Sequence, residues 1–394
     1  MSRPSFSSVS RLRCDRGRGS MTHSIQRVSP PMPSTPSSTP HRAALDGVRG
    51  LAALGVLVFH VWLYRDNRHH GARHALLDHL LFSANAGLIA FFVLSGFLLY
   101  RPYARGNAPG AGEYARRRIT RIVPAYYACG LGCFLLYSTV GPDNILPKAR
   151  ELPAFALFAQ NYSLTTLMQL NPVLWTLSVE AAFYIALPLI ALVTRGREAF
   201  LVALVVAGVG FNVLDQTAFH SEIPGKTLPA YIGIFAIGML AALVLERRNR
   251  ALTRSSTAWC MLLGVAIVIL RAAWTESPVF PDPVLRGALL APLSAVGFAL
   301  VIAAAARGTG PSMSWLRWTP LAYAGLVSYG LYLWHVPVIL VLDERGALPT
   351  ALVPRLGMVL AITLAIATVS WRLIEQPVLR GRRRAKLTPA LEAA

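Results

Sequence analysis

Residues 45–63 read LDGVRGLAALGVLVFHVWL, an apolar run interrupted by a basic residue near one end, Arg49, and an imidazole near the other, His60. Nineteen residues at about 1.5 Å rise nearly cover a hydrocarbon core of about 30 Å, so the stretch reads as a membrane-spanning helix. His60 lies eleven positions after Arg49. Eleven helical steps of about 100° end only about 20° past three full turns, so both side chains project from one face, roughly 16 Å apart along the axis. An ionisable group inside a span costs about 2.5 to 3.5 kcal/mol on insertion scales and calls for a partner or a task. Two such groups on one face of one helix make this stretch decisive for both fold and chemistry.

Working outward, the whole chain of 394 residues is 54% apolar and only 14% charged, too oily for a soluble domain. Ten runs are long enough to span, near 45–63, 80–100, 121–140, 173–194, 198–215, 228–246, 257–274, 285–306, 321–342 and 355–377. The expected fold class is therefore all-α, a polytopic membrane protein of about ten helices with both termini on one side. The net charge of +20 tests that count. With ten crossings, 27 Lys/Arg fall on the side of the termini and ten on the other, where ten acids balance them. By the positive-inside rule both termini are cytosolic, in the plasma membrane. Residues 1–40, rich in Ser, Pro and Arg, read as a disordered segment without a secretory signal. Residues 41–380 form the membrane domain and 381–394 a basic cytosolic tail. Cys14, Cys129, Cys133 and Cys260 have no metal spacing and three lie in apolar runs, so they read as small buried side chains. No independent basic domain exists to carry nucleic acid.

Beyond Arg49 and His60, the ionisable groups inside spans are Glu180, His335 and Glu375. Counted along their helices, Glu180 falls about two turns, and His335 less than two turns, from the same outer surface as His60. Three titratable groups at a common depth suit proton transfer on a bound substrate; taken singly, each is a hydrogen-bonded packing residue. The loop after the second span carries Arg101, Arg105, Arg116, Arg117, Arg118 and Arg121, the last two spaced i,i+3 where the third helix begins. Such a cluster binds phosphates through forked hydrogen bonds, or simply faces anionic lipid in the bilayer. Arg49 with Asp46, and Arg372 with Glu375, also read as i,i+3 structural pairs. His69, His70, His74 and His79 crowd the first outer loop; with no nearby Cys or paired carboxylate they read as a solvated loop, and no metal is expected.

The order of these pieces resembles the acyltransferase-3 family of integral-membrane O-acyltransferases from Leu45 to Arg380. Leu45–Gly50 followed by His60 resembles the family's opening Arg-x10-His motif, and Phe91–Phe97 its second-helix signature. Arg118-Ile119-Thr120-Arg121 is similar to its Arg-x-x-Arg motif. Leu174–Glu180 with Phe183, Tyr184 and Pro188, then Ser328–His335, then Trp371–Pro377 resemble signatures of the fourth, ninth and last helices. The chain departs from many relatives where Ala181 and Ala182 follow Glu180 and where Ile89 replaces an Asp. It is expected to be the stand-alone type, without an appended hydrolase-like domain.

The resemblance implies transfer of a short acyl group from acyl-CoA, the donor substrate, to a hydroxyl of a carbohydrate-containing acceptor, with no permanently bound cofactor. The acceptor classes are surface polysaccharides and glycosylated small molecules of the macrolide kind. Near-exclusive use of Arg over Lys hints at a GC-rich genome such as that of an antibiotic producer. Arg118 and Arg121, with Arg49 deeper, are expected to hold the nucleotide phosphates while the pantetheine arm climbs the Arg49/His60 face. His60 is the expected general base, since neutral imidazole suits removal of a hydroxyl proton near pH 7. Glu180, ahead of His335, is expected to orient the imidazole or the acceptor. The rival is a secondary transporter or lipid flippase using the same His and Glu groups as a proton relay.

Overall fold

The computed structural model describes residues 40–65, 75–219, 221–274 and 283–380. The expected N-terminal disorder, the tail after 380, Cys14 and the loop histidines His69, His70 and His74 lie outside them. Among the described residues the chain folds into thirteen α-helices and no strand. They are α1 (Pro40–Leu63), α2 (Ala75–Ser83), α3 (Ala86–Ala104), α4 (Ala111–Tyr137), α5 (Leu152–Ala156), α6 (Trp175–Thr194), α7 (Glu198–Thr217), α8 (Leu228–Arg248), α9 (Arg254–Trp274), α10 (Pro283–Arg307), α11 (Thr319–Leu326), α12 (Ser328–Glu344) and α13 (Leu352–Ser370). Among the described residues nine helical stretches are long and apolar enough to cross a membrane, or ten if α11 and α12, bent by 77°, count as one broken span. The protein is an all-α, multi-pass membrane protein.

The lipid-facing surface follows from helical periodicity. In α6, Ile185, Leu189 and Leu192, spaced i, i+4 and i+7, are 83%, 63% and 64% exposed, while Phe183 and Leu187 on the other face are fully buried. A leucine stripe at that exposure is stable only against hydrocarbon.

Interior helices approach through small residues, as expected where dispersion rather than hydrophobic burial drives helix association. A Cβ on Gly96 would lie 2.2 Å from the carbonyl oxygen of Phe235, and one on Gly238 would lie 2.2 Å from that of Val93. This backbone contact locks α3 against α8. At one end of the bundle, the Glu246 carboxylate accepts from Arg101 Nε at 2.7 Å, Arg105 Nε at 2.8 Å and Arg307 at 2.6 Å. That knot fastens the C-terminal ends of α3, α8 and α10.

Four boundaries differ from the expectation. The arginines from Arg116 to Arg121 lie within α4 rather than in a preceding loop, so helical spacing fixes which of them face inward. Arg101 and Arg105 belong to the Glu246 knot instead of the phosphate cluster. The ninth span is broken at Val327, where α11 and α12 bend by 77°; Gly325 sits where any Cβ would lie 1.7 Å from the Asp46 carbonyl oxygen, holding α11 in backbone contact with α1. Finally, Trp371–Glu375 is a π-helical turn. The wider turn takes residues three apart off one face, so Glu375 is buried while Arg372 points outward, and no ion pair joins them among the described residues.

Candidate active site

His60, in the last turn of α1, meets His335, in the second turn of α12. Nδ1 of His60 lies 3.1 Å from Nε2 of His335 and 2.9 Å from the Val56 carbonyl oxygen; Nδ1 of His335 lies 3.1 Å from the Leu331 carbonyl oxygen. Carbonyl oxygens only accept, so in the neutral rings each Nδ1 carries its hydrogen. His335 Nε2 is then a lone pair that shares the His60 Nδ1–H with Val56, and His60 Nε2 is left with its own lone pair for a reactant. The rings stand 4.9 Å apart at 63°, and His335 is 1% exposed. The His60 imidazole is therefore held by another imidazole locked in the core.

His60 lines a cavity of about 340 Å³ together with Asn85, Trp175, Tyr231, Arg271 and Tyr332. Arg271 NH1 donates to Asn85 Oδ1 at 3.0 Å, and the Trp175 and Tyr231 rings lie 5.7 Å apart.

Toward the other end of the bundle a second cavity, of about 190 Å³, is lined by Arg49, Arg118 and Arg121 with Ser95, Glu180 and Tyr184. All three arginines picked from the sequence thus face one space, Arg49 from α1 and the other two from one face of α4. The Asp46–Arg49 pair is present as well, at 3.9 Å. Glu180 accepts a hydrogen bond from Ser95 Oγ at 2.5 Å, and the Arg118 guanidinium lies 5.9 Å from the Tyr184 ring centre, a cation–π contact.

Leu88, Thr176 and Tyr332 line both cavities and form the wall they share. The Thr176 and Tyr332 hydroxyls are hydrogen-bonded to each other at 2.6 Å, and both reach the Val173 carbonyl oxygen, at 3.0 and 3.4 Å. Both side chains are nearly buried, and the Tyr332 ring lies 5.8 Å from that of His335.

The common depth expected for Glu180, His60 and His335 does not hold. Glu180 sits with the arginines, below the Thr176–Tyr332 wall, and accepts from Ser95 rather than from an imidazole. The cause is the segment before α6. Gln160, Asn161 and Asn171 are buried there and donate to the carbonyls of Leu174, Trp175 and Leu333. The helix therefore starts inside the protein, level with α12 near His335, and Glu180 lies roughly 10 Å further in, seven residues beyond Val173. Sequence reading missed Thr176, Tyr332, Arg271, Trp175 and Tyr231. A signal was available for two of them: Tyr332 precedes His335 by three residues, and Thr176 precedes Glu180 by four, each on the face of a residue already singled out. Among the described residues, which include His79, no cluster of metal-ligating side chains occurs.

The chain belongs to the family described as Acyltransferase domain, which matches residues 42–372. It is similar to Nodulation protein 10 of Rhizobium leguminosarum bv. viciae, 29% identical over 389 residues, covering 89% of this chain and 96% of that protein. It is also similar to the putative peptidoglycan O-acetyltransferase YrhL of Bacillus subtilis (strain 168), 25% identical over 85% of this chain and 54% of that protein. The O-acetyltransferase OatA of Staphylococcus aureus (strain NCTC 8325 / PS 47) is 23% identical, over 85% of this chain and 56% of that protein. The chain thus spans about half the length of these last two relatives. No solved structure matches it.

Proposed function

We propose that the protein is a plasma-membrane O-acyltransferase, both termini cytosolic, that moves a short acyl group from acyl-CoA to a hydroxyl of a carbohydrate-containing acceptor. One observation carries the reading: an arginine-lined cavity and a histidine-lined cavity back onto a single wall of three side chains. A polyanionic donor fits the first and a neutral imidazole base fits the second. The axial distance from Arg49 to His60, roughly 16 Å, is one an extended pantetheine arm covers.

In this reading Arg118 and Arg121 hold the CoA phosphates at the cytosolic mouth, with Arg49 as the deeper contact. Glu180, tied to Ser95, keeps the arginine cavity from being uniformly positive and orients the donor rather than the imidazole. The arm passes Tyr332 and presents its thioester beside His60. His60 Nε2 takes the acceptor hydroxyl proton as that oxygen attacks the thioester carbon, the C–S bond breaks, and the imidazolium returns the proton to the departing thiolate. His335 fixes the tautomer and orientation of His60, as the third member of a triad does. The Thr176–Tyr332 bond closes the wall behind the arm and keeps water from the thioester.

Purified protein in lipid nanodiscs, given labelled acetyl-CoA and a glycoside, tests the reading. Acceptor-dependent release of free CoA with label on the sugar is the expected result. No release across acyl lengths and acceptors would instead favour the transporter or flippase alternative.

A further inference from the structure

The helices that carry the two imidazoles are tied together a second time, at the end of the bundle where α1 and α12 finish and α13 begins. Arg355, near the start of α13 and 3% exposed, donates from one nitrogen, NH2, to the Tyr64 carbonyl oxygen at 2.8 Å and to Asp343 Oδ1 at 2.7 Å. Tyr64 directly follows α1, and its own N–H donates to the His60 carbonyl at 2.9 Å. Asp343 lies in the last turn of α12, eight residues or about 12 Å along the axis from His335. Carbonyls at a helix C-terminus lack an intrahelical donor, and a cation there meets the negative end of the helix dipole. The two hydrogens on one guanidinium nitrogen point in fixed directions in one plane, so binding both acceptors fixes the distance between the two helix ends. Beside this bridge Leu57, Val61, Val338, Ile339 and Val359, from the same three helices, form one buried apolar cluster. Apolar contacts hold helices together without direction; the directional bonds decide where along each other the helices stop. That stop matters for the imidazoles. Their nitrogens are 3.1 Å apart, and a slip of about 1 Å would take them beyond hydrogen-bonding distance.

We propose that Arg355 is a positioning residue, a clasp that sets α1 against α12 and so keeps the hydrogen bond between His60 and His335 made. It touches neither imidazole and acts through the helices that carry them. The kinetic consequence rests on the acyltransferase reading; the structural consequence rests on the imidazole geometry alone.

Two measurements on the full chain in lipid bilayers separate these layers. In the first, nitrogen-15 spectra of the histidine rings are recorded, the His335 resonances being those lost in His335→Ala and their unbonded position being read from His60→Ala. Arg355→Gln should move the His335 Nε2 resonance to that unbonded position while the protein stays folded; an unchanged resonance overturns the proposal. In the second, initial rates of CoA release are fitted. Arg355→Gln should lower kcat by about tenfold or more, the size of effect a displacement of about 1 Å produces at a reacting centre, and leave the acetyl-CoA KM unchanged. Introduced into His335→Ala, the same change should cost nothing further, because the bond it protects is already gone. A near-normal kcat in the single variant, or an additive loss in the double one, makes Arg355 a structural residue and sinks the proposal. Removing a partner from a buried ion pair also destabilises a protein, so Asp343→Asn, at a partly exposed carboxylate, carries the same two readouts where Arg355→Gln does not accumulate: a few-fold loss of kcat with the same displaced resonance supports the clasp, and no change in either refutes it. A displaced resonance in a protein that releases no CoA would retire the acyltransferase reading and leave the clasp standing.

Discussion

The two cavities are built from the same kind of helix and differ in what the helices turn inward. The smaller one, about 190 Å³, gathers three guanidinium groups and one carboxylate. The larger, about 340 Å³, holds an imidazole pair, one guanidinium and two large aromatic side chains. Cations in excess around a narrow space hold a charged substrate in place. A neutral base in a roomier, mostly apolar space performs a reaction on whatever is delivered. Separating grip from chemistry keeps all but one of these arginines away from His60: a cluster of them there would disfavour an imidazolium, and an imidazole among the arginines would add little to phosphate affinity. In the proposed reaction the cost of the division is that the donor would have to reach through the wall.

Mutations should therefore split cleanly by cavity. His60→Ala removes the base and is expected to lower kcat by about 10²- to 10⁴-fold, the usual range for a general base. The acetyl-CoA KM should stay within a factor of about two, and the protein should still insert in the membrane. A variant with near-normal turnover would dissolve the contrast altogether. Next in size, the double change Arg118→Gln, Arg121→Gln should raise the acetyl-CoA KM by about ten- to a hundredfold, since each charge-assisted contact to phosphate contributes about 1.5 to 3 kcal/mol. Here kcat and the acceptor KM should move little. If the acceptor KM rises equally, the arginine cavity is not a donor site.

Much of this arrangement is legible in the chain. Hydropathy runs give the spans, and the Arg49/His60 spacing gives a helix face linking the two ends, because both depend only on local period. The Arg118/Arg121 pair is equally local, and α4 carries both into one cavity as i,i+3 spacing requires. What cannot be read is depth. Glu180 was placed beside His60 by counting from the start of its span, but buried Gln160, Asn161 and Asn171 lower that start into the protein. The break at Val327 escapes notice for a related reason: α11 and α12 form one continuous apolar run, and only the contact of Gly325 with the Asp46 backbone shows that the chain turns there. Long-range contacts between backbones leave no period in a sequence.

A finer test probes the imidazole pair. His335→Ala strips one of the two acceptors from His60 Nδ1–H, leaving the Val56 carbonyl, and should lower kcat by about tenfold or more, whereas His335→Gln offers an amide oxygen there and should recover part of the loss. Rescue by Gln with the acetyl-CoA KM unchanged separates positioning of the base from simple packing, which a residue 1% exposed also provides. Equal loss in both variants would reduce His335 to a core residue.

The smallest expected effect falls on the wall. Tyr332→Phe keeps the ring and deletes the hydroxyl bonded to Thr176 Oγ1, together with its longer contact to the Val173 carbonyl. One hydrogen bond contributes about 1 kcal/mol, so the closed position should be about fivefold less favoured. Acetyl transfer should stay near normal, because neither the arginines nor His60 loses a contact. Acceptor-independent release of CoA, the signature of water reaching the thioester, should rise by a similar few-fold. Thr176→Val, which removes the same bond from the other side, should match it, and the double variant should add almost nothing, since both changes delete one interaction. Additive effects in the double variant, or an unchanged rate of hydrolysis, would mean that the two cavities are divided by packing alone and that the donor arm does not cross at Tyr332.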